Sequence, residues 1–304
     1  MALPTHASTL ERVWHYAYLV ICGLVFLFLI APILIVIPLS FNAEPYFTFT
    51  EGMLSLEPDA YSTRWYDLLL TFRADVADGA PRDGAWWASV WQNAAWVNAA
   101  KNSVIIGFFS TLLATFLGTL AALGLSRPEM PFRRAIMAIL ISPMIVPIII
   151  TATGLFFFYS ATGLANSYIG IIMAHATLGI PFVIITVTAT LVGFDHSLTR
   201  AAASLGANPT TTFFKITMPL ILPGVISGAL FAFVTSFDEV VVVLFVAAND
   251  QQTIPRQMWN GIREQISPAI LAVATILVVI SIALLTTVEL LRRRSERLRG
   301  LSPS

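Results

Sequence analysis

Charge is what this sequence has least of. Only 11% of its 304 residues are charged, against 57% hydrophobic, where a soluble chain of this length carries roughly 25% charged. That scarcity argues against an ordinary soluble domain and for a multi-span membrane protein. Cysteine is nearly missing: Cys22 stands alone inside an apolar run, so no intrachain disulfide can form, and the redox compartment stays open. Lysine is almost as scarce, with Lys101 and Lys215 alone. No Gly-x-x-x-x-Gly-Lys-Ser/Thr stretch accompanies either, so ATP is expected to be bound elsewhere. The 17 basic residues are cancelled by 17 acidic ones, which leaves no surplus pointing to nucleic acid. No metal site is expected.

What the chain has is apolar runs. The first, Tyr16–Leu39, follows Arg12, is too long for a signal-peptide core, and has no small-residue cleavage pattern after Pro38. It reads as an uncleaved first span over 16–40, with a kink at Pro32. At about 1.5 Å per residue it covers a hydrocarbon core of about 30 Å with some tilt. Residues 41–102 then form a large loop, where eight acidic residues (Glu44, Glu51, Glu57, Asp59, Asp67, Asp75, Asp78, Asp83) face three arginines, Arg64, Arg73 and Arg82. Trp86, Trp87, Trp91 and Trp96 near its end read as an interfacial belt on a short helix. Further runs at 103–125, 135–159, 168–193, 224–247 and 268–291 complete six spans. The fold expected is an all-α integral membrane protein, with a core domain over 103–291 and a basic tail over 292–304.

Basic residues choose the orientation. With the N-terminus (1–15), the 127–134 loop, the 195–224 stretch and the tail on one side, that side holds 11 basic residues and the other 6. Short loops weigh most, and Arg64, Arg73 and Arg82 sit in the long one. Both termini are therefore expected to be cytoplasmic.

The polar break at 195–224, DHSLTRAAASLGANPTTTFFKITMPLILPG, separates two apolar runs. Asp195 or Ser197 can cap a helix in which Leu198, Ala201, Ala202 and Leu205 share one narrow face. Gly206 stands where a helix ends in a left-handed residue, and Asn208-Pro209 reads as the cap and first position of a second helix. Such a pair, over about 196–218, serves either as an interfacial tether or as a docking element.

Asp238 and Glu239 are the acidic residues placed deep inside an expected span, whereas Glu289 lies at the very end of the run 268–291. A carboxylate at a helix centre costs roughly 2.5–3.5 kcal/mol on insertion scales, so such groups face a partner or a water-filled path. Neighbouring helical residues diverge by about 100°, so the two cannot point the same way, and both are candidates for a substrate pathway. A structural hydrogen bond is the competing reading. His175 is expected to hydrogen-bond between helices.

The residues also resemble a known family. AASLGANPTTTFFKITMPLILPG is similar to the cytoplasmic signature of bacterial ABC-importer permeases, matched at Ala201, Ala202, Leu205, Gly206, Ala207, Phe213, Pro219, Pro223 and Gly224. The signature's glutamate is replaced by Arg200, a charge reversal. SFN (40–42), RWY (64–66), KNS (101–103), ATFLGTLAALGLSR (114–127) and SFDEVVV (236–242) resemble the second permease of spermidine/putrescine-type importers. Since Asp238 matches the family's acid, the resemblance implies that Asp238 faces the path and Glu239 pairs across a helix interface. The likeness implies a bacterial inner-membrane subunit coupled through residues 197–218, Arg200, Ala201, Ala202, Leu205, Gly206 and Ala207 among them, to two ATPase subunits. ATP and Mg would reside on those subunits, with no cofactor on this chain. It further implies a second, related permease chain and a periplasmic substrate-binding protein, and makes residues 41–102 a periplasmic loop. With Arg200 in the acidic position, docking is expected to rely on shape around Ala201, Ala202 and Gly206. The implied solute is a polyamine or related cation, or alternatively an opine, amino-acid derivative or other small solute. A channel or secondary transporter is the reading from another class, although no convincing inverted repeat is visible. A membrane hydrolase is disfavoured, since His175 has no obvious serine partner in the sequence and the acids are adjacent on one helix.

Overall fold

In the computed structural model the described residues are 8–77, 79–127, 129–195, 197–264 and 267–298. Residues 1–7, Asp78, Pro128, His196, Gln265, Ile266 and the tail from Arg299 lie outside them, as do the side chains of Glu264, Leu285, Val288, Glu289 and 291–298. The basic tail side chains invoked for orientation therefore fall outside the description.

The described residues are helical and contain no strand, apart from one isolated antiparallel bridge between Asn42 and Tyr61. In chain order the α-helices are α1 (Thr9–Leu39), α2 (Glu51–Leu54), α3 (Arg64–Thr71), α4 (Gly84–Asn93), α5 (Ala95–Leu125), α6 (Arg133–Ile145) and α7 (Ile148–Thr162). They continue as α8 (Tyr168–Val192), α9 (Ser197–Ser204), α10 (Pro209–Thr212), α11 (Met218–Phe237), α12 (Val241–Val246), α13 (Ile254–Glu264) and α14 (Ala269–Leu298). Four helices are long and apolar enough to cross a membrane, α1, α5, α8 and the run Pro209–Phe237, and a bent pair, α6 with α7, makes five. The apolar part of α14 counted there, Ala269–Leu284, is shorter.

The helices divide into two compact units, one of residues 1–72 and 261–304, the other of 73–260. In the first, α1 packs on α14 and α14 on α3. Helix α1 begins at Thr9, earlier than the apolar run, because Ser8 and Glu11 form a capping box: Ser8 N donates to Glu11 Oε2 at 2.7 Å, and Glu11 N to Ser8 Oγ at 3.3 Å. Two short motifs of the sequence meet after α1. Ser40 Oγ and Tyr66 OH are hydrogen-bonded at 2.7 Å, and Trp65 Nε1 donates to the Asn42 carbonyl at 2.7 Å. Asn42, fully buried, in turn donates to the carbonyls of Tyr46 and Thr48 at 3.1 and 3.0 Å. SFN and RWY are thus the two halves of one knot that ties the start of the loop.

In the second unit α5, α8 and α11 pack against one another. Their contact surfaces are stripped of bulk where they cross: a β-carbon added at Gly179 would stand 2.9 Å from that of Ala232, one at Gly118 2.7 Å from that of Val183, and one at Gly228 2.8 Å from the Val183 Cα. Without a hydrophobic force between helices in lipid, such small-residue approach supplies packing and backbone proximity.

Three boundaries differ from expectation. Helix α5 starts at Ala95, so the loop is shorter than 41–102 and Trp96 is buried within a helix. The run 135–159 is no single straight helix: α6 and α7 meet at 100°. Pro147 explains the break, because it has no N–H to donate and forces Val146 into an extended conformation, ψ 134°. Finally, the run 224–247 is interrupted: α11 ends at Phe237, and a separate six-residue α12 follows.

Candidate functional site

The first candidate region is the elbow formed by α9 and α10. Asp195 Oδ1 accepts from Ser197 N at 2.8 Å and its Oδ2 from the Ser197 hydroxyl at 2.7 Å, which fixes the start of α9. Gly206 has φ +82°, the left-handed conformation expected of it. Around it Gly206 N donates to the Ala203 carbonyl and Ala207 N to that of Ala202, both at 3.0 Å, the bonds that close a helix C-terminus. Asn208 Oδ1 then accepts from Thr211 N at 2.7 Å, with Pro209 opening α10. A single π turn, Phe213–Thr217, leads into α11. Ala202 is buried, while Arg200 and Ala201 are exposed and Leu205 is 88% exposed. The elbow is internally capped at each turn and leaves an apolar side chain uncovered.

The second region starts at the acidic pair. Asp238 is exposed and caps the C-terminus of α11, its N–H donating to the Val234 carbonyl at 3.0 Å. Glu239 is 8% exposed, and its Oε1 accepts from Val242 N at 2.9 Å. The two side chains diverge as expected. They sit at a helix break, however, not at a helix centre, and Glu239 caps its own segment where a pairing across a helix interface was expected. The cause is local: a side-chain acceptor supplied at the head of α12 substitutes for the carbonyl that a continued α11 would provide.

Helix α12 is held at its other end by a base. Arg256 Nη1 donates to the carbonyls of Val243 at 2.8 Å and Ala247 at 3.0 Å. Partial burial lowers the Arg256 pKa from its ordinary value by withdrawing the guanidinium from water. An acid at the N-terminus and a base at the C-terminus both suit the helix dipole. Between them Val242, Val243 and Val246 are fully buried.

A lattice of hydrogen bonds pins the turn that follows. Asn102 Nδ2 donates to the carbonyls of Asp250 and Gln252, both at 2.9 Å, and accepts at Oδ1 from the Tyr168 hydroxyl at 2.8 Å. Ser103 Oγ accepts from Ile254 N at 2.8 Å, and Gln251 Nε2 donates to the Asn166 carbonyl at 3.0 Å. Beside this lattice lies a polar cavity of about 470 Å³ whose lining includes Arg73, Lys101, Asn102, Tyr168, Asp250 and Gln257. Lys101 is partly committed: its ammonium donates to the Trp91 carbonyl and lies 4.7 Å from the Trp91 ring centre. Trp91 itself is 63% exposed on α4, as an interfacial ring would be, whereas Trp86 is buried.

Sequence reasoning missed Asn102, Tyr168 and Arg256. The signal for the first lay in the KNS string; the other two carried none, since nothing local distinguishes a tyrosine or arginine that bonds a distant carbonyl. His175, on α8, lies 2.8 Å through Nδ1 from Ser236 Oγ on α11, which fulfils the helix-to-helix hydrogen bond and supplies the serine partner not seen in the sequence. Among the described residues no three His, Cys, Asp or Glu side chains gather into a metal-holding group.

Comparison with known proteins adds to this geometry. A family model described as binding-protein-dependent transport system inner membrane component matches residues 114–298. The spermidine/putrescine transport system permease protein PotC of Haemophilus influenzae is 31% identical over 271 residues, 89% of this chain and 94% of that one. PotC of Escherichia coli K12 is 29% identical over 269 residues, 88% of this chain and 91% of its own. The putrescine transport system permease protein PotI of the same strain is 31% identical over 266 residues, covering 85% and 84%. Among solved structures, a chain of a bacterial ABC transporter involved in the import of the acidic polysaccharide alginate matches with TM-score 0.65 and 17% identity, over 95% of this chain and 99% of that chain. At that identity it speaks for the fold alone.

Proposed function

The chain belongs to the family of binding-protein-dependent transport system inner membrane components, and on that premise we propose that it is a permease subunit of an ATP-driven importer, forming half of the pathway for a polyamine or related small organic cation. The observation that carries this reading is the likeness, spread over most of the chain, to permease proteins of spermidine/putrescine and putrescine transport systems. In the arrangement proposed, α14 supplies a sixth span, both termini are cytoplasmic, and the acidic first loop is periplasmic.

ATP and Mg are held by two separate ATPase subunits, a second permease chain completes the pathway, and a periplasmic binding protein delivers the solute. The elbow around Arg200, Ala201, Ala202, Leu205, Gly206 and Ala207 receives the ATPase. Its suitability is mechanical, because capped turns and the direct continuation through Phe213–Thr217 into α11 leave few soft joints between them. Exposed Asp238, at the end of that same helix, faces the pathway.

The test is uptake by proteoliposomes that contain the chain with its second permease, ATPase and binding protein. Spermidine or putrescine should accumulate only with ATP. Accumulation without ATP would move the chain to the channel or secondary-transporter class. A second reading, a permease of the same type for an opine or amino-acid derivative, is favoured by one observation: Arg73 and Lys101 line the polar cavity together with Asp250. Uptake of such a solute in place of the polyamine would select it.

A further inference from the structure

Between α5 and α6 the chain opens a second cavity, of about 820 Å³, lined by the apolar Leu120, Leu123, Met130 and Phe213 together with Arg127 and Glu129. Leu120 belongs at the same time to the exposed apolar surface of α5, with Phe116 and Leu117, and Ile139 is exposed on α6. The cavity is therefore continuous with side chains that a bilayer would solvate.

Arg127 lines the cavity, and two further arginines follow its last lining residue on this loop, Pro131, by two and three positions. Arg127, Arg133 and Arg134 fall within eight residues, all three are exposed, and none of their guanidinium groups bonds to a described residue. Glu129 is the one carboxylate in this stretch, so two positive charges remain in surplus. Beside the arginines stands Phe132, 82% exposed and in the left-handed region at φ 52°. For a bulky residue that conformation costs about 1–2 kcal/mol, and it leaves an apolar ring projecting beside the cations.

An apolar cavity, a surplus of unpaired arginines and a projecting ring match an amphiphile with an anionic head better than they match a soluble protein surface. We propose that the segment joining α5 to α6 binds one anionic phospholipid of the surrounding bilayer. Its phosphate lies among Arg127, Arg133 and Arg134, and an acyl chain lies in the cavity beside Leu120 and Phe213. The proposal rests on membrane insertion alone and is independent of the polyamine reading.

The experiment uses the full chain in its purified complex. The complex is exchanged into phosphatidylcholine with or without phosphatidylglycerol, washed, and its retained lipid is read by mass spectrometry. Phosphatidylglycerol should be retained over phosphatidylcholine. The triple variant Arg127→Gln, Arg133→Gln, Arg134→Gln should retain about a hundredfold less, each basic residue near an anionic surface contributing about fivefold. The corresponding triple lysine variant and the control Arg12→Gln should retain it. Equal retention by the glutamine triple, or equal retention of both lipids, overturns the proposal. So does loss of ATPase co-purification in that triple with lipid retention unchanged, which assigns the patch to a protein partner. If the glutamine triple does not insert, raising the salt on the wild-type complex decides: retention that does not fall with ionic strength overturns the proposal.

Discussion

The elbow at Ser197–Thr217 and the segment at Asp238–Thr253 are both short interruptions of apolar sequence, yet they are stabilised in opposite ways. The elbow is closed by its own backbone and caps, and it leaves Leu205 and Phe214 exposed. The later segment has local caps too, Glu239 on Val242 N among them, but it is also held from outside itself, by Asn102 from α5, Asn166 from the turn before α8, and Arg256 from α13. A region satisfied by local bonds can move as one piece and still present a surface. A region satisfied by groups distant in sequence is anchored to the helices that carry them, and its buried polar backbone is tolerated because those groups complete it.

The comparison predicts that damage to the two regions will be felt in different measurements. The largest effect on stability should come from Arg256→Ala, which removes two hydrogen bonds and leaves the Ala247 carbonyl without its guanidinium donor, while the Val243 carbonyl keeps only its bond from Ala247 N. The expected loss is about 3 kcal/mol, from two hydrogen bonds to a charged donor, read as a lowered midpoint of thermal unfolding in detergent. An unchanged midpoint would remove the claim that this segment is pinned from outside. Gly206→Val should come next, at about 1–2 kcal/mol, since φ +82° strains any side chain although no neighbour lies within 4 Å of a β-carbon there. Its effect on function should be far larger: the protein should insert, while ATP-dependent uptake is lost. Full uptake with normal ATPase coupling would show that the elbow is only a tether. The smallest shift in stability should follow Leu205→Ser, within about 0.5 kcal/mol for an exposed position. Co-purification of the ATPase should nevertheless weaken, and unaltered co-purification would mean that this uncovered leucine is not part of the docking surface.

The elbow was legible in the sequence because its signals are local. Gly206 demands a left-handed residue, Asn208-Pro209 caps the next helix, and neither depends on the rest of the fold. The anchored segment was not legible for the converse reason. VVVLFV at 241–246 is as apolar as a span, and periodicity cannot separate a buried helix segment from a continued one. What ends α11 is a glutamate turning back on the following backbone, with Arg256 arriving later in the chain. Pro147 did mark the sharp bend between α6 and α7, but a proline in an apolar run signals a kink more often than a 100° corner. SFN and RWY were visible as strings, while their meeting required the fold.

The distance in sequence between Val243 and Arg256 also carries a timetable. During synthesis α12 emerges before the guanidinium that bonds the Ala247 carbonyl and adds a second bond to that of Val243, so the end of the helix is first exposed with the Ala247 carbonyl lacking this donor. Six residues cannot cross a bilayer on their own, and the segment can settle only after residue 256 has left the ribosome. A nascent chain halted at Ala248 should therefore be protease-accessible around Val241, and one long enough to free Arg256 should be protected there. The final turn of this small helix is thus assembled by a residue made after it.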